Sequence, residues 1–307
     1  HLKDPKYDVG LLDKPGLALL GERQESFLDT WVQDWRSTDF KCVLSQTIFC
    51  NLANYHGGNR MFIFADLDSN GWPQTGRKNA LRIMRKGYAF HYAGDQHLPS
   101  ITQNGIDTWG DAGFALCVPS IAAGYPRSWL PDKEGRAVQN RPEPGLPNTG
   151  EYRDGFGNFV TVFGIGNPAE KNRPGRENTA HDKSSGHGIV RFQPEDLTIS
   201  IECYRVQIDP LNIQPRDQFP GWPKLIRLLD NRGQAPTAYL PSITAPPGIE
   251  RPVLSVSNAE TDDLIYIVRL NQRTVRPWIY DQGRFNVKLG DPDTDNWSLL
   301  ENVRPEQ

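Results

Sequence analysis

Two hydrophobic spacings alternate over the first 122 residues, and this alternation limits the folds open to the chain. In residues 21–36, apolar side chains recur at the helical spacing and charged ones can face water. Residues 77–85 form a second, basic helical pattern that Gly87 ends. Short apolar runs typical of strands occupy residues 41–49, 61–65, 88–93 and 113–122. The sequence therefore predicts a layered α/β domain.

The chain changes character between residues 125 and 187, where Pro, Gly, Asn and Arg dominate. We predict a long loop here, and a loop of this length is usually functional or wraps the domain. Alternating residues in 189–192 and 197–206 predict a hairpin after it. One short helix is expected within residues 218–233.

The last part of the chain has the spacing of a small all-β unit. Residues 241–247 (PSITAPP) have the composition of a linker. Four strand-like runs separated by Asp, Asn and Gly follow, at residues 253–257, 264–270, 274–280 and 284–289. We predict two domains, residues 1–240 and a β-sandwich over 241–307.

Composition excludes some partners. The formal net charge of −3 gives no bulk attraction to nucleic acid or to an anionic membrane. No apolar run reaches the roughly 18 residues that a membrane span needs. The four cysteines have no CxxC spacing, so free thiols or one disulfide are favoured over a metal site.

The apolar run at 88–93 leads directly into Gly94-Asp95-Gln96-His97. A carboxylate and an imidazole thus arrive together at the carboxyl end of a strand, where α/β sheets bind ligands. A first-row transition metal accepts this oxygen and nitrogen pair, and the carboxylate also suits a harder ion. The alternative is that Asp95 caps a turn and His97 is a surface histidine.

Four short patterns occur in a fixed order along the chain. They are LGERQ at 20–24, VLSQT at 43–47, DLDSNGWP at 66–73 with Arg77 behind it, and GDQH at 94–97. The series resembles the PhoD-like (alkaline phosphatase D) metallophosphoesterases, in which LGxxQ, a strand, a DxWDGYP-like segment followed by Arg, and GDxH occur at comparable spacings. The resemblance covers about residues 16–121 and extends more weakly to 186–192. Asn70-Gly71-Trp72 departs from the family's Asp-Gly-Tyr.

The resemblance implies a metallophosphoesterase-type layered α/β/β/α sandwich, incomplete on its N-terminal side. It also implies hydrolysis of a phosphate mono- or diester by two metal ions (Fe, Ca, Zn or Mn) that clamp the phosphate and lower the pKa of a bound water. By position, Asp95 and His97 match late metal ligands of the family. His56 is a further candidate ligand, or else a loop histidine. Arg77 matches a residue that would contact phosphate, or else is a solvated helix residue.

Three further residues border the predicted site. Asp66 and Asp68 lie in the segment that the resemblance places beside the pocket. His91 shares a strand face with Asp95, and we interpret it as a partly buried histidine, with support of a metal ligand as the alternative.

The family's early ligands come from patterns upstream of LGxxQ, and residues 1–19 contain none of them. Three hypotheses stay open: a separate N-terminal chain completes the sheet and the site, the sequence is a fragment of a longer one, or the protein is an inactive scaffold for extracellular binding or assembly. The resemblance also implies an extracytoplasmic location, which means periplasmic, cell-surface or secreted.

Overall fold

We describe the fold from a computed structural model covering residues 2–121, 124–168 and 183–306. Over these residues the fold is mixed α/β, mostly strand, with helices α1 (Glu22–Gln33) and α2 (Gln74–Lys86). Short 3-10 turns occupy Val9–Leu12, Pro215–Asp217 and Leu228–Arg232. Both predicted helices are confirmed. Neither is long and apolar enough to cross a membrane, nor is any other described helix.

The strands, in chain order, are β1 (Cys42–Thr47), β2 (Tyr55–His56), β3 (Met61–Phe62), β4 (Phe90–Gly94), β5 (Ser100–Asn104), β6 (Phe114–Cys117), β7 (Arg127–Ser128), β8 (Gly150–Arg153), β9 (Phe159–Ile165), β10 (Gly186–Gln193), β11 (Thr198–Arg205), β12 (Lys224–Arg227), β13 (Ala238–Tyr239), β14 (Ile243–Thr244), β15 (Val253–Asn258), β16 (Leu264–Arg269), β17 (Thr274–Val275), β18 (Trp278–Ile279), β19 (Phe285–Asp291) and β20 (Asn296–Val303). They pair into several separate sheets rather than one.

A six-stranded sheet in the order β1-β4-β6-β5-β9-β8 forms the centre of the first 165 residues. Strands β1, β4 and β6 run parallel, and the remaining neighbours pair antiparallel. Alternate residues divide between the two faces: Phe90 and Leu116 pack in one apolar cluster, Ala93 and Cys117 in another. The sheet is therefore covered on both faces, as its parallel strands require.

The predicted hairpin is confirmed as β10 and β11, paired in continuous register from Gly186↔Arg205 to Gln193↔Thr198. The short helix expected within residues 218–233 is present as the 3-10 helix Leu228–Arg232, and strand β12, which was not predicted, pairs with β11 just before it. Ile226 is buried against Ile199 while its neighbours point outward, which is a strand period. This three-stranded sheet contributes to the cluster that also holds Phe90 and Leu116.

The prediction of one long loop over 125–187 was also wrong. Strands β8 and β9 form the outer edge of the six-stranded sheet, and β7 pairs with β2. Val160 and Val162 are fully buried. These strands were not predicted because their apolar runs are short and lie between Gly, Pro and Asn residues. Residues 169–182 of the predicted loop lie outside the described residues.

The C-terminal part forms a four-stranded antiparallel sheet, β16-β15-β19-β20, beside two small sheets, β13-β18 and β14-β17. The predicted strand runs are present, with 274–280 split between β17 and β18. The linker prediction was wrong, because Ile243 is 4 % exposed and pairs with Val275. Trp35 and Tyr88 lie in the same buried cluster as this region's strands. The metallophosphoesterase type of the sandwich stays a prediction.

Candidate functional site

Strands β1, β4 and β6 end together at one edge of the six-stranded sheet. The register pairs Thr47 with Gly94 and Cys117 with Ala93. Asp95 follows β4 directly, and its Oδ2 accepts a hydrogen bond from Thr47 Oγ1 at 3.2 Å. The topology therefore delivers Asp95 to the carboxyl edge of parallel strands, where ligands bind in such sheets.

The turn after β4 has an uncommon backbone conformation at two of its residues. Asp95 and His97 have φ values of 63° and 50°, in the left-handed region that non-glycine residues seldom occupy. His97 Nδ1 lies 2.8 Å from the main-chain oxygen of Tyr125. A carbonyl can only accept, so Nδ1 carries the proton and Nε2 of the neutral ring keeps its lone pair. This is the usual arrangement of a metal-binding histidine.

His56 lies near His97. The rings of both histidines contact the Tyr125 ring edge to face, with centroid distances of 6.3 Å for His56 and 6.5 Å for His97. His56 is 3 % exposed. Its Nε2 lies 2.7 Å from the main-chain oxygen of Ala53, so this nitrogen donates and is closed to a metal. Burial lowers the pKa of His56 below its ordinary value. The structure thus gathers His56 at the site as a buried, neutral imidazole.

The segment containing Asp66 and Asp68 borders the same edge. Asn70 Nδ2 donates to the main-chain oxygen of Thr47 at 2.9 Å, which ties this segment to the end of β1. Asp66 is buried, with Oδ2 3.9 Å from His56 Nε2. Asp68 is exposed, and its main-chain NH donates to Asp66 Oδ1 at 3.1 Å. Asp66 is therefore the one of the two that lies beside His56.

The donor set fits a metal site in part. Asp95 offers an oxygen and His97 a nitrogen, but no group of three or more His, Cys, Asp or Glu side chains that could hold a metal occurs in the described part of the chain. Burial, with Asp95 nearby, raises the pKa of the Cys117 thiol to about 12, so it is protonated and a poor ligand at neutral pH. The free cysteines are Cys42, Cys50, Cys117 and Cys203.

Arg77 lies in the protein interior with no exposed surface. Its guanidinium donates to the main-chain oxygens of Phe49 and Gly105 and to Asn104 Oδ1. The solvated alternative is thus wrong, and each guanidinium nitrogen donates one of these three hydrogen bonds. Its burial and these partners give Arg77 a structural role in the interior, out of reach of a phosphate in solvent.

His91 is fully buried on β4, with Nε2 2.7 Å from Ser45 Oγ and its ring 4.4 Å from that of Phe49. Burial, and then the charge of Arg77, lowers its pKa to about 3. A neutral interior histidine agrees with the first interpretation, except that it is wholly rather than partly buried.

The structure adds Arg127, which the sequence had assigned to the long loop. Strand β7 pairs with β2 so that Arg127 lies directly opposite His56. Its positive charge contributes to the lowered pKa of His56. In the sequence, the only indication of Arg127 as a site residue is an arginine within GYPRSW.

No protein-family model matches the chain, and no curated protein or solved structure matches it significantly.

Proposed function

We propose that the chain supplies Asp95 and His97 as ligands to a two-metal site that hydrolyses phosphate mono- or diesters. The observation that carries this proposal is the pair's placement on a left-handed turn at the carboxyl edge of parallel strands, with His97 Nδ1 fixed by Tyr125. The reaction type, phosphoester hydrolysis, is inferred from the resemblance of the four ordered sequence patterns. When bound, the metal ions would clamp the phosphate and lower the pKa of a bound water.

Two residues cannot complete a binuclear centre, so the proposal requires further ligands. We propose that an upstream segment or a separate N-terminal chain provides them. The extracytoplasmic location implied by the resemblance is part of the same proposal. Arg77 takes no part in this proposed site, and His56 would be a polar neighbour of the Asp95 and His97 ligands.

The test measures hydrolysis of p-nitrophenyl phosphate and bis(p-nitrophenyl) phosphate, with metal content determined by elemental analysis. We expect Asp95→Ala/His97→Ala to lower the rate by about a hundredfold or more and to lose bound metal, since both ligands are removed. A chelator should abolish the wild-type activity. The matched control is Asp107→Asn/His187→Gln, which alters the same residue types elsewhere. Undiminished activity in the Asp95/His97 variant would refute the proposal.

A non-catalytic scaffold is the second candidate, and the absence of a complete donor group among the described residues favours it. In this case the protein would bind an extracellular surface, a glycan or further subunits. Elemental analysis separates the candidates, because stoichiometric metal in the native protein contradicts a scaffold and metal-free protein contradicts the enzyme.

A further inference from the structure

Arg127 occupies a fixed position beside the predicted metal ligands. The β2–β7 pairing sets it opposite His56, and directly opposed residues in an antiparallel pair lie side by side on one face. His56 in turn shares the Tyr125 ring with His97. Arg127 also acts electrostatically on Cys117, at the end of β6. These relations place its charge at the carboxyl edge that carries Asp95.

The guanidinium of Arg127 has no partner among the described residues. Its Nε and Nη1 are shielded from solvent and make no hydrogen bond. Other arginines whose Nε has no partner make hydrogen bonds through another guanidinium nitrogen. Arg232 donates through Nη1 to two main-chain oxygens, and Arg251 donates through Nη2 to the main-chain oxygen of Pro194. Arg127 is the one arginine in the described ranges with two shielded, unpartnered nitrogens.

A second side chain at this edge also has buried polar atoms without hydrogen-bond partners. Gln96, between Asp95 and His97, is 3 % exposed and neither its Oε1 nor its Nε2 has a partner. Buried polar groups without partners are rare in proteins, and each calls for an explanation such as a bound water, an ion or a functional role. Arg127 and Gln96 are two such side chains near one sheet edge.

The ligand has to be anionic and to accept several hydrogen bonds. A guanidinium presents a planar fork of donors that matches two oxygens of a phosphate or carboxylate. Arg127, lying directly opposite His56, supplies a positive charge at this face. Arg127 as a whole residue is partly exposed, while its Nε and Nη1 are shielded from solvent.

We propose that Arg127 binds the non-bridging oxygens of the substrate's phosphoryl group, the role that the sequence patterns gave to Arg77. This inference rests on the proposed phosphoesterase function for the identity of the anion. It goes beyond that function by naming the residue that binds the phosphoryl oxygens.

The experiment measures binding of inorganic phosphate by calorimetry and by ³¹P line broadening, using the full chain with any associated polypeptide. Arg127→Met should weaken phosphate binding about tenfold or more, and Arg127→Lys should do so by less, because lysine keeps the charge but not the fork. The matched control is Arg136→Met, whose guanidinium lies over the Trp129 ring at 4.8 Å and has its own hydrogen bond to Arg153. It should leave phosphate affinity unchanged.

Thermal melting of the same variants separates binding from structure. Because the Arg127 guanidinium has no protein partner, Arg127→Met should keep or raise the melting temperature, whereas a structural role would lower it. Unchanged phosphate affinity in Arg127→Met, or no phosphate binding by the wild type, would overturn the inference.

Rates separate this inference from the proposed function. Phosphate binding that depends on Arg127 in a protein that hydrolyses no ester would support the anion site and refute the phosphoesterase. Hydrolysis with kcat and KM unaffected by Arg127→Met would refute the anion site and leave the phosphoesterase standing.

Discussion

Two arginines illustrate how a side chain's role depends on its partners. Arg77 stands where the sequence patterns expect a phosphate contact, yet it is buried and donates to Phe49, Gly105 and Asn104 in the interior. Arg127 stands in a segment without any recognised pattern, yet its guanidinium is unpartnered beside His56. Spacing along the chain identifies residue types, whereas hydrogen-bond partners are set by segments distant in sequence.

Arg77→Met should lower the free energy of unfolding by about 3 kcal/mol or more, because three buried acceptors and the buried Asp154 lose their cationic partner. Urea unfolding followed by circular dichroism measures the change. Arg82→Met is the control on the same helix: its side chain is 44 % exposed, and we expect a change within about 0.5 kcal/mol. A loss of phosphate release without loss of stability would instead return Arg77 to the site.

At the scale of elements, helix α2 is held against the segment that leads into α1. Gly76 on α2 is in close contact with this segment: a Cβ added there would lie 2.5 Å from Leu19 N and 3.1 Å from Leu19 Cβ. Glycine weakens a helix interior, but here its missing side chain allows the backbones to touch. The amphipathic pattern predicted the helix and could not show this contact.

Gly76→Ala should therefore destabilise the protein by about 1–3 kcal/mol through overpacking, even though the same change in an open helix stabilises by about 1 kcal/mol. Asn79→Ala, on the same helix, should instead raise stability by about 0.5 kcal/mol. The midpoints of urea unfolding check both signs. Stabilisation by Gly76→Ala would show that α2 does not pack on the Leu19 segment in this way.

At the scale of the whole molecule, the C-terminal strands share a core with the α/β part. Trp35 and Tyr88 lie in the buried cluster with residues of β15 and β16. Arg269 of β16 donates to the main-chain oxygens of Thr38 and Trp35, at 2.7 and 3.0 Å. Contacts of this kind join the two predicted domains through buried surface rather than through a free linker.

Limited proteolysis with thermolysin tests this arrangement, since the enzyme cleaves before exposed apolar residues. We expect early cleavage at Leu211, which is 95 % exposed, and protection at Ile243, which is 4 % exposed and paired with Val275. Mass spectrometry of the fragments identifies the sites. Cleavage at Ile243 as early as at Leu211 would restore the linker interpretation.

The sequence by itself determined the elements with strong local periodicity: both helices, β4 with its Gly-Asp-Gln-His turn, and the β10–β11 hairpin. It also predicted that Asp95 and His97 lie together, because both follow one strand and need no distant partner to do so; their role as metal ligands is a proposal. Strands β8, β9 and β12 escaped prediction, because their apolar runs are short and only pairing with a neighbour makes them strands. Only the tertiary structure brought β7 against β2, and so decided that His56 and Arg127 face one another and that Arg77 is buried. Such contacts join residues distant in sequence, and their energy depends on burial and partners that no local pattern records.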